Sequence, residues 1–365
     1  MKKTLLFLAV MLLIFADGYS QATFTTGALE VGVSQYGRIR LFTPDGTRHL
    51  QRASILVGTR PTSVFDYNAD AEALEPAALV TNPALSDFEI YGSIDNSYSS
   101  LPPAVIVKLN AYGWNNGSYT IVKFKVINNE SDNIDAIIGL DIIPELNQTY
   151  GFDTVTYNNA QGVIRFHRGG QVNMGMKLLS TSLSSLYSFE WYDGYNADTS
   201  YWNWMNYGSL QPQYVSTTLD GPVTITAQNF VNLAPAHSVD VYYALALGAD
   251  EQTMLSNIAA AVVKYQALIT SVNNHPSATE FNLGQNTPNP FRNSTTISYQ
   301  LPENGQVSLK VYNVVGNEVA TLVDSKQRSG IHTVDFNAKN LPGGVYYYTL
   351  RCNDQVKSNK MLLIK

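Results

Sequence analysis

Between Tyr187 and Tyr207 the chain places nine aromatic residues in 21 positions: Tyr187, Phe189, Trp191, Tyr192, Tyr195, Tyr201, Trp202, Trp204 and Tyr207. Asp193, Asn196, Asp198, Asn203 and Asn206 are interleaved with them. Flat rings can cover the C–H faces of a sugar while neighbouring amides and carboxylates bond its hydroxyls. Trp191, Tyr195, Trp202, Trp204 and Tyr207 are therefore the candidate set for binding a glycan or another surface ligand. The competing reading is a long loop whose rings plug a sandwich core.

Other chemistry is thinly represented. Asp193-Gly194-Tyr195-Asn196-Ala197-Asp198 spaces oxygen ligands as a calcium loop does, but lacks the later acidic residue that completes one. It reads as an Asp/Asn-rich turn, with calcium the alternative; no other metal or cofactor is expected. The five histidines, His49, His167, His237, His275 and His332, lie outside metal-ligand spacing of one another. His167, in Arg165-Phe166-His167-Arg168, would need a carboxylate from another strand to act in acid–base catalysis. The sequence contains no Gly-x-Ser-x-Gly, His-Glu-x-x-His, Walker loop or dinucleotide fingerprint. Glycosidases need only two well-placed carboxylates, and the acidic residues cannot be narrowed to two by eye.

The elements that must position these residues are strands. Leu29–Leu41 reads as a hairpin around Ser34–Gly37. Ser54–Val57, Phe88–Tyr91, Val105–Tyr112, Tyr119–Ile127, Ile137–Ile143, Val163–His167, Met174–Leu179, Tyr214–Thr218, Val223–Phe230 and Val239–Leu247 follow as strands. In Tyr119–Ile127, Val122, Phe124 and Val126 alternate with Lys123 and Lys125, whereas the nearly all-apolar Ile137–Ile143 implies a strand covered on both faces. Asp66–Pro83 and Glu190–Gln213 read as long loops. One helix is expected, capped by Asp250, with an apolar stripe at Met254, Ile258, Val262, Tyr265 and Ile269. The expectation for residues 21–270 is an all-β domain. It is either one large antiparallel sandwich, of the broad architecture that includes galactose-mutarotase-like domains, or two tandem sandwiches; no family motif in this region decides between them. Residues 271–282 read as a linker.

Residues 283–365 read separately as a smaller antiparallel sandwich of six or seven strands. Gln285-Asn286-Thr287-Pro288-Asn289-Pro290-Phe291, then Thr295-Thr296-Ile297 and Val311-Tyr312-Asn313-Val314-Val315-Gly316, resemble the C-terminal sorting domain of the type IX secretion system. Leu341-Pro342-Gly343-Gly344-Val345-Tyr346-Tyr347 and the last strand, with Lys360, complete the resemblance. Arg292-Asn293 departs slightly from the Asn-Pro common after the phenylalanine. The resemblance implies an immunoglobulin-like module whose partner is the type IX machinery, with passage across the outer membrane followed by release or surface attachment.

The N-terminus agrees. Met1-Lys2-Lys3, about a dozen apolar residues and then small residues make a secretory signal peptide over 1–20, cleaved between Ser20 and Gln21. The apolar run is too short for a stable transmembrane anchor, and no cysteine lies nearby for lipid attachment. The single cysteine, Cys352, forbids an internal disulfide and reads as a buried apolar residue. Residues 23–275 carry a net charge of −10 and residues 276–365 carry +3, so nucleic acid is not an expected partner of the larger domain. Arg38, Arg40, Arg48, Arg52 and Arg60 read as a solvated strand face. The functional expectation is an exported protein whose larger domain binds a glycan or surface ligand without catalysis. The alternatives are a carbohydrate-active enzyme and a structural envelope or matrix component.

Overall fold

The computed structural model describes residues 21–170, 172–274, 281–302, 304–327, 330–353 and 355–365. The expected signal peptide lies outside these, as does half of the expected linker, whose first four residues belong to a helix that runs to Asn274. The chain divides between Leu268 and Ile269 into two compact units.

The described residues of the larger unit form eighteen strands. They are β1 (Gln21–Thr25), β2 (Glu30–Ser34), β3 (Ile39–Phe42), β4 (Arg48–Arg60), β5 (Ser63–Phe65) and β6 (Glu72–Leu79). Then come β7 (Phe88–Asp95), β8 (Val105–Gly113), β9 (Tyr119–Asn128), β10 (Ile134–Pro144), β11 (Thr154–Asn158) and β12 (Val163–His167). The series ends with β13 (Asn173–Leu178), β14 (Leu183–Glu190), β15 (Gln213–Val215), β16 (Pro222–Gln228), β17 (Val231–Leu233) and β18 (Ser238–Gly248). One nine-stranded sheet runs β1-β2-β3-β4-β10-β16-β14, with β5 paired to β4 and β17 to β10; the other runs β15-β11-β12-β13-β18-β9-β8-β7-β6. Of the two architectures left open by the sequence, the structure is the single large sandwich.

Side-chain alternation sorts the faces. On β10, Ile138, Leu140 and Ile142 join Ile55 and Val57 of β4 in the core between the sheets, where they meet Val122, Phe124 and Val126 of β9. Ile137 and Ile143 belong to a second apolar cluster on the outer face of the first sheet, with Leu56, Val223 and Ile225. The near-continuous apolar run of β10 is thus covered on both sides.

A helix (α2, Glu251–Asn274) lies against the second sheet. Asp250 accepts the N–H of Thr253 at 2.7 Å, and Met254, Ile258, Ala261, Tyr265 and Leu268 form its buried stripe. The approach is close: a Cβ on Gly175 of β13 would stand 2.1 Å from Met254 Sδ. Two elements lie inside the expected loops. β6 occupies the first, an edge strand that tolerates Pro76 because one side has no ladder to supply. A short helix (α1, Asp198–Met205) occupies the second.

The smaller unit has strands β19 (Asn282–Leu283), β20 (Ser294–Leu301), β21 (Gly305–Asn313), β22 (Glu318–Gln327), β23 (Gly330–Asn337), β24 (Gly344–Cys352) and β25 (Gln355–Leu363). They form a three-stranded sheet, β19-β20-β23, and a four-stranded sheet, β22-β21-β24-β25. Both contribute to one core, which includes Cys352.

Candidate functional site

The outer face of the first sheet carries a buried polar centre. Asp141 of β10 is fully buried, and its Oδ2 accepts Arg52 Nη2 of β4 at 2.5 Å and the hydroxyls of Tyr195 and Tyr201 at 3.0 and 2.7 Å. Burial pushes the Asp141 carboxyl up, while Arg52 and the Tyr201 hydrogen bond draw it back. Arg52 also donates to the Tyr67 hydroxyl at 3.2 Å, and its guanidinium lies 5.1 Å from the Tyr67 ring centroid. The expectation of a solvated arginine face is corrected here: Arg40 and Arg52 are each 7% exposed. A buried arginine next to a buried carboxylate escapes an alternation rule that assigns every charge to solvent.

Above this centre the tips of several segments enclose a hollow of about 360 Å³, lined by Arg38, Gln51, Arg52, Tyr67, Ile143, Tyr150, Trp191, Leu219 and Asp220. Its wall is laced by backbone. Phe152 donates to Thr218 O at 3.1 Å and Trp191 to Gly221 O at 2.9 Å. Gly151 and Gly221 permit this approach: a Cβ on Gly221 would meet Gly151 N at 2.7 Å, and one on Gly151 would meet Thr218 O at 2.4 Å. Glu190 holds the same loop, accepting from Thr217 N–H, Thr218 Oγ1 and Ser216 Oγ at 2.7, 2.9 and 2.9 Å. Burial pushes the Glu190 carboxyl up, but these bonds outweigh it and leave its pKa lowered. Tyr150 rides on a segment clamped by Arg48 to Glu145 and by Arg168, which donates to Thr149 Oγ1 at 2.6 Å and to Asp153 Oδ1 at 2.9 Å.

The structure distributes the five aromatic candidates unequally. Trp191, 39% exposed, lines the hollow. Tyr195 is buried beneath it on Asp141. Trp204 is sandwiched in a ring cluster, with its centroid 4.0 Å from Phe189 and 6.5 Å from Tyr187. Trp202 packs over Gly58 and Phe230, and the exposed Tyr207 rests 4.7 Å from Tyr187. Most of the aromatic run therefore covers the outer face of the sheet, where each ring satisfies its neighbours. Sequence reasoning missed Tyr67 and Tyr150, which arrive from distant loops without a local aromatic signal.

Asp193 is exposed and Asp198 turns to the Val64 N–H at 3.3 Å. Among the described residues no three acidic, histidine or cysteine side chains gather as a metal site would require. His167 is pushed down by burial and by Arg165, and Arg165 is itself paired with Glu251 at 2.6 Å.

Asp66, beside Tyr67 in sequence, is 1% exposed. Burial, against hydrogen bonds from Ala69 and Asn68, pushes its carboxyl from the ordinary 3.8 up to about 7. A carboxyl raised on folding gives stability that is complete below about pH 4 and is lost as pH rises through about 7. Asp66→Asn keeps the acceptor for the two N–H groups and removes the titration. Its unfolding free energy should fall less steeply between pH 4 and 7 than that of the parent chain. Equal slopes in denaturant titrations across that range would show that Asp66 titrates normally.

In the smaller unit the motif residues are built into the fold. Asn286, 1% exposed, donates its N–H to the Tyr348 hydroxyl at 2.9 Å and its amide to Thr295 Oγ1 at 2.9 Å and Pro288 O at 3.1 Å. Asn289 Oδ1 accepts the Leu362 N–H at 2.9 Å. Phe291 is buried and exchanges backbone bonds with the final strand. Gly316 turns the β21–β22 hairpin, and Pro342 O accepts the Tyr346 hydroxyl at 2.8 Å as Gly343 and Gly344 lead into β24. Lys360 is exposed on β25.

The family model described as a secretion system C-terminal sorting domain matches residues 287–365. The chain is thus an all-β protein ending in a type IX sorting domain, and its route is through the periplasm to the cell surface or the medium. Among the described residues no helix is long and apolar enough to cross a membrane. No curated protein matches the chain. A bacterial glucoamylase complexed with acarbose is similar in structure at 10% identity and TM-score 0.50, over 73% of this chain and 39% of that one. The chain therefore spans about two-fifths of that protein's length, and the likeness concerns fold alone. A galactose mutarotase-like protein from Lactobacillus casei (8% identity, TM-score 0.39, 63% of this chain and 100% of that one) is a fainter match. So is the heparan sulfate lyase HepC from Pedobacter heparinus (10%, 0.36, 78% and 40%).

Proposed function

We propose that the larger domain is a glycan-binding domain, delivered to the cell surface or medium by the sorting domain, and that its ligand sits in the hollow over Trp191, Tyr150 and Tyr67. The observation that carries this is convergence. Three rings from three separate loops face one cavity, and Arg52 and Gln51 lie among them. Rings and fixed polar groups sharing one concave surface are what sugar recognition requires: apolar faces for C–H, donors and acceptors for hydroxyls. Trp191 and Tyr150 are both 39% exposed, so their rings are open to a ligand.

The test is a glycan-array screen of the mature chain, repeated with Trp191→Ala and Tyr150→Ala. Each substitution should weaken binding of whichever glycan is retained by about tenfold or more, in line with about 1–3 kcal/mol per stacked ring. Thermal unfolding should barely move, because both side chains are on the surface. Binding that survives both substitutions would remove the cavity from consideration. Turnover of a retained glycan would reassign the domain as an enzyme.

A further inference from the structure

A second hollow, of about 260 Å³, adjoins the first and shares Arg38 and Tyr67 with it. Tyr36, Asn68 and Tyr98 also line it, and Tyr98 is 69% exposed. The Tyr67 ring at the junction is held by the Arg52 guanidinium through a hydrogen bond and a ring contact.

Arg38 is the unusual member. Arg48, Arg52, Arg165 and Arg168 each face a carboxylate of this chain, respectively Glu145, Asp141, Glu251 and Asp153. Arg38 makes no ion pair among the described residues, and its Nε, like those of Arg40 and Arg52, is buried without a hydrogen-bond partner. Its backbone is fixed in the β2–β3 turn, with Arg38 O accepting from Ser34 N at 2.9 Å and Arg38 N donating to Ser34 Oγ at 3.1 Å. A buried unsatisfied donor on a charged group is costly, and an anion bound beside Arg38 would satisfy it. The surrounding domain is strongly acidic, so a general excess of positive charge does not account for this cation. Asp220 also lines the first hollow and would repel a like charge beside it, so an anionic group is best met by Arg38, which lines both hollows.

We propose that the two hollows form one site for an acidic oligosaccharide of at least two residues, crossing Tyr67 with a carboxylate or sulfate against Arg38. This rests on the glycan-binding reading above and adds the ligand's charge and its minimum length. A guanidinium suits both anions, since its fork of donors matches two oxygens of either group.

The experiment uses the mature chain and three probes in calorimetric or surface-binding titrations: an oligogalacturonate, a dextran sulfate fragment and a neutral cello-oligosaccharide. At least one acidic probe should bind more tightly than the neutral one, with affinity that falls as salt rises. Arg38→Gln should weaken that binding about ten- to a hundredfold, while Arg38→Lys, which keeps the charge, should recover part of it. Comparing the two acidic probes separates carboxylate from sulfate as the recognised group. Neutral probe binding as tight as acidic binding would overturn the proposal. So would acidic binding unchanged by Arg38→Gln yet lost in Trp191→Ala, because the cavity would then bind glycans without reading charge. Absence of Trp191-dependent binding by any probe would instead overturn the glycan reading itself.

Discussion

Replacing Arg52 with methionine should cost the larger domain about 3–5 kcal/mol of unfolding free energy, the usual result of removing one partner from a buried ion pair. The size comes from what remains. Asp141 is fully buried, its Oδ1 has no partner, and Oδ2 would keep only the two tyrosine hydroxyls. Two neutral donors do not replace a guanidinium for a carboxylate without water. The carboxyl, already pushed up by burial, would rise further and take a proton, so the variant's deficit should be smallest in acid and should grow as pH climbs through the parent's raised folded value toward the variant's higher one. Replacing both partners, Arg52→Met with Asp141→Leu, should return part of the loss, because no orphaned charge is left although the hydroxyls of Tyr195 and Tyr201 lose their acceptor. Urea titrations at pH 5 and pH 8, followed by tryptophan fluorescence, would measure all three chains. A single-variant loss below about 1 kcal/mol would mean that water reaches the pair and that it behaves as a surface bridge.

That centre also shows where sequence reading stops. Period-2 alternation located β12 with its observed bounds and placed β8, β9 and β18 within a few residues, and the nearly all-apolar run did the same for β10, which is covered on both faces. The stripe of α2 was legible in part: Met254, Ile258 and Tyr265 are buried, but Ala261 and Leu268 take the places expected for Val262 and Ile269. β6 was not: Glu-Ala-Leu-Glu-Pro-Ala-Ala-Leu buries little, and its edge position tolerates proline and charge. α1 was hidden because it has no side-chain cap and six of its eight residues are aromatic or small polar, so its face is set by packing on the sheet. The aromatic run was visible as composition, but composition does not say which rings face the sheet. The cavity joins Arg38, Arg52, Tyr67, Tyr150 and Trp191 across more than 150 positions, and only the sheet order brings them together.

In the sorting domain the same distinction separates residues that build the fold from residues free to be read by a partner. Phe291→Ala should destabilise this unit by about 3–5 kcal/mol, the usual cost of emptying a buried phenylalanine site. Phe291 is 2% exposed, with its ring 6.1 Å from that of Phe336. Its backbone is tied at both ends to the last strand, by Phe291 N to Leu362 O at 3.0 Å and Ile364 N to Phe291 O at 2.8 Å. A small sandwich with about 5–15 kcal/mol in hand loses much of its margin from that one truncation. Lys360→Ala removes an exposed side chain and should change stability by less than about 0.5 kcal/mol. Unfolding of the purified chains, set beside the amounts of protein in periplasm and medium, separates the two effects. The Phe291 variant should lose export together with stability. If Lys360→Ala blocks export while the domain melts unchanged, Lys360 is a contact for the secretion machinery. If Phe291→Ala leaves the melting of the unit intact, the motif does not close the sandwich, and its phenylalanine is recognised directly.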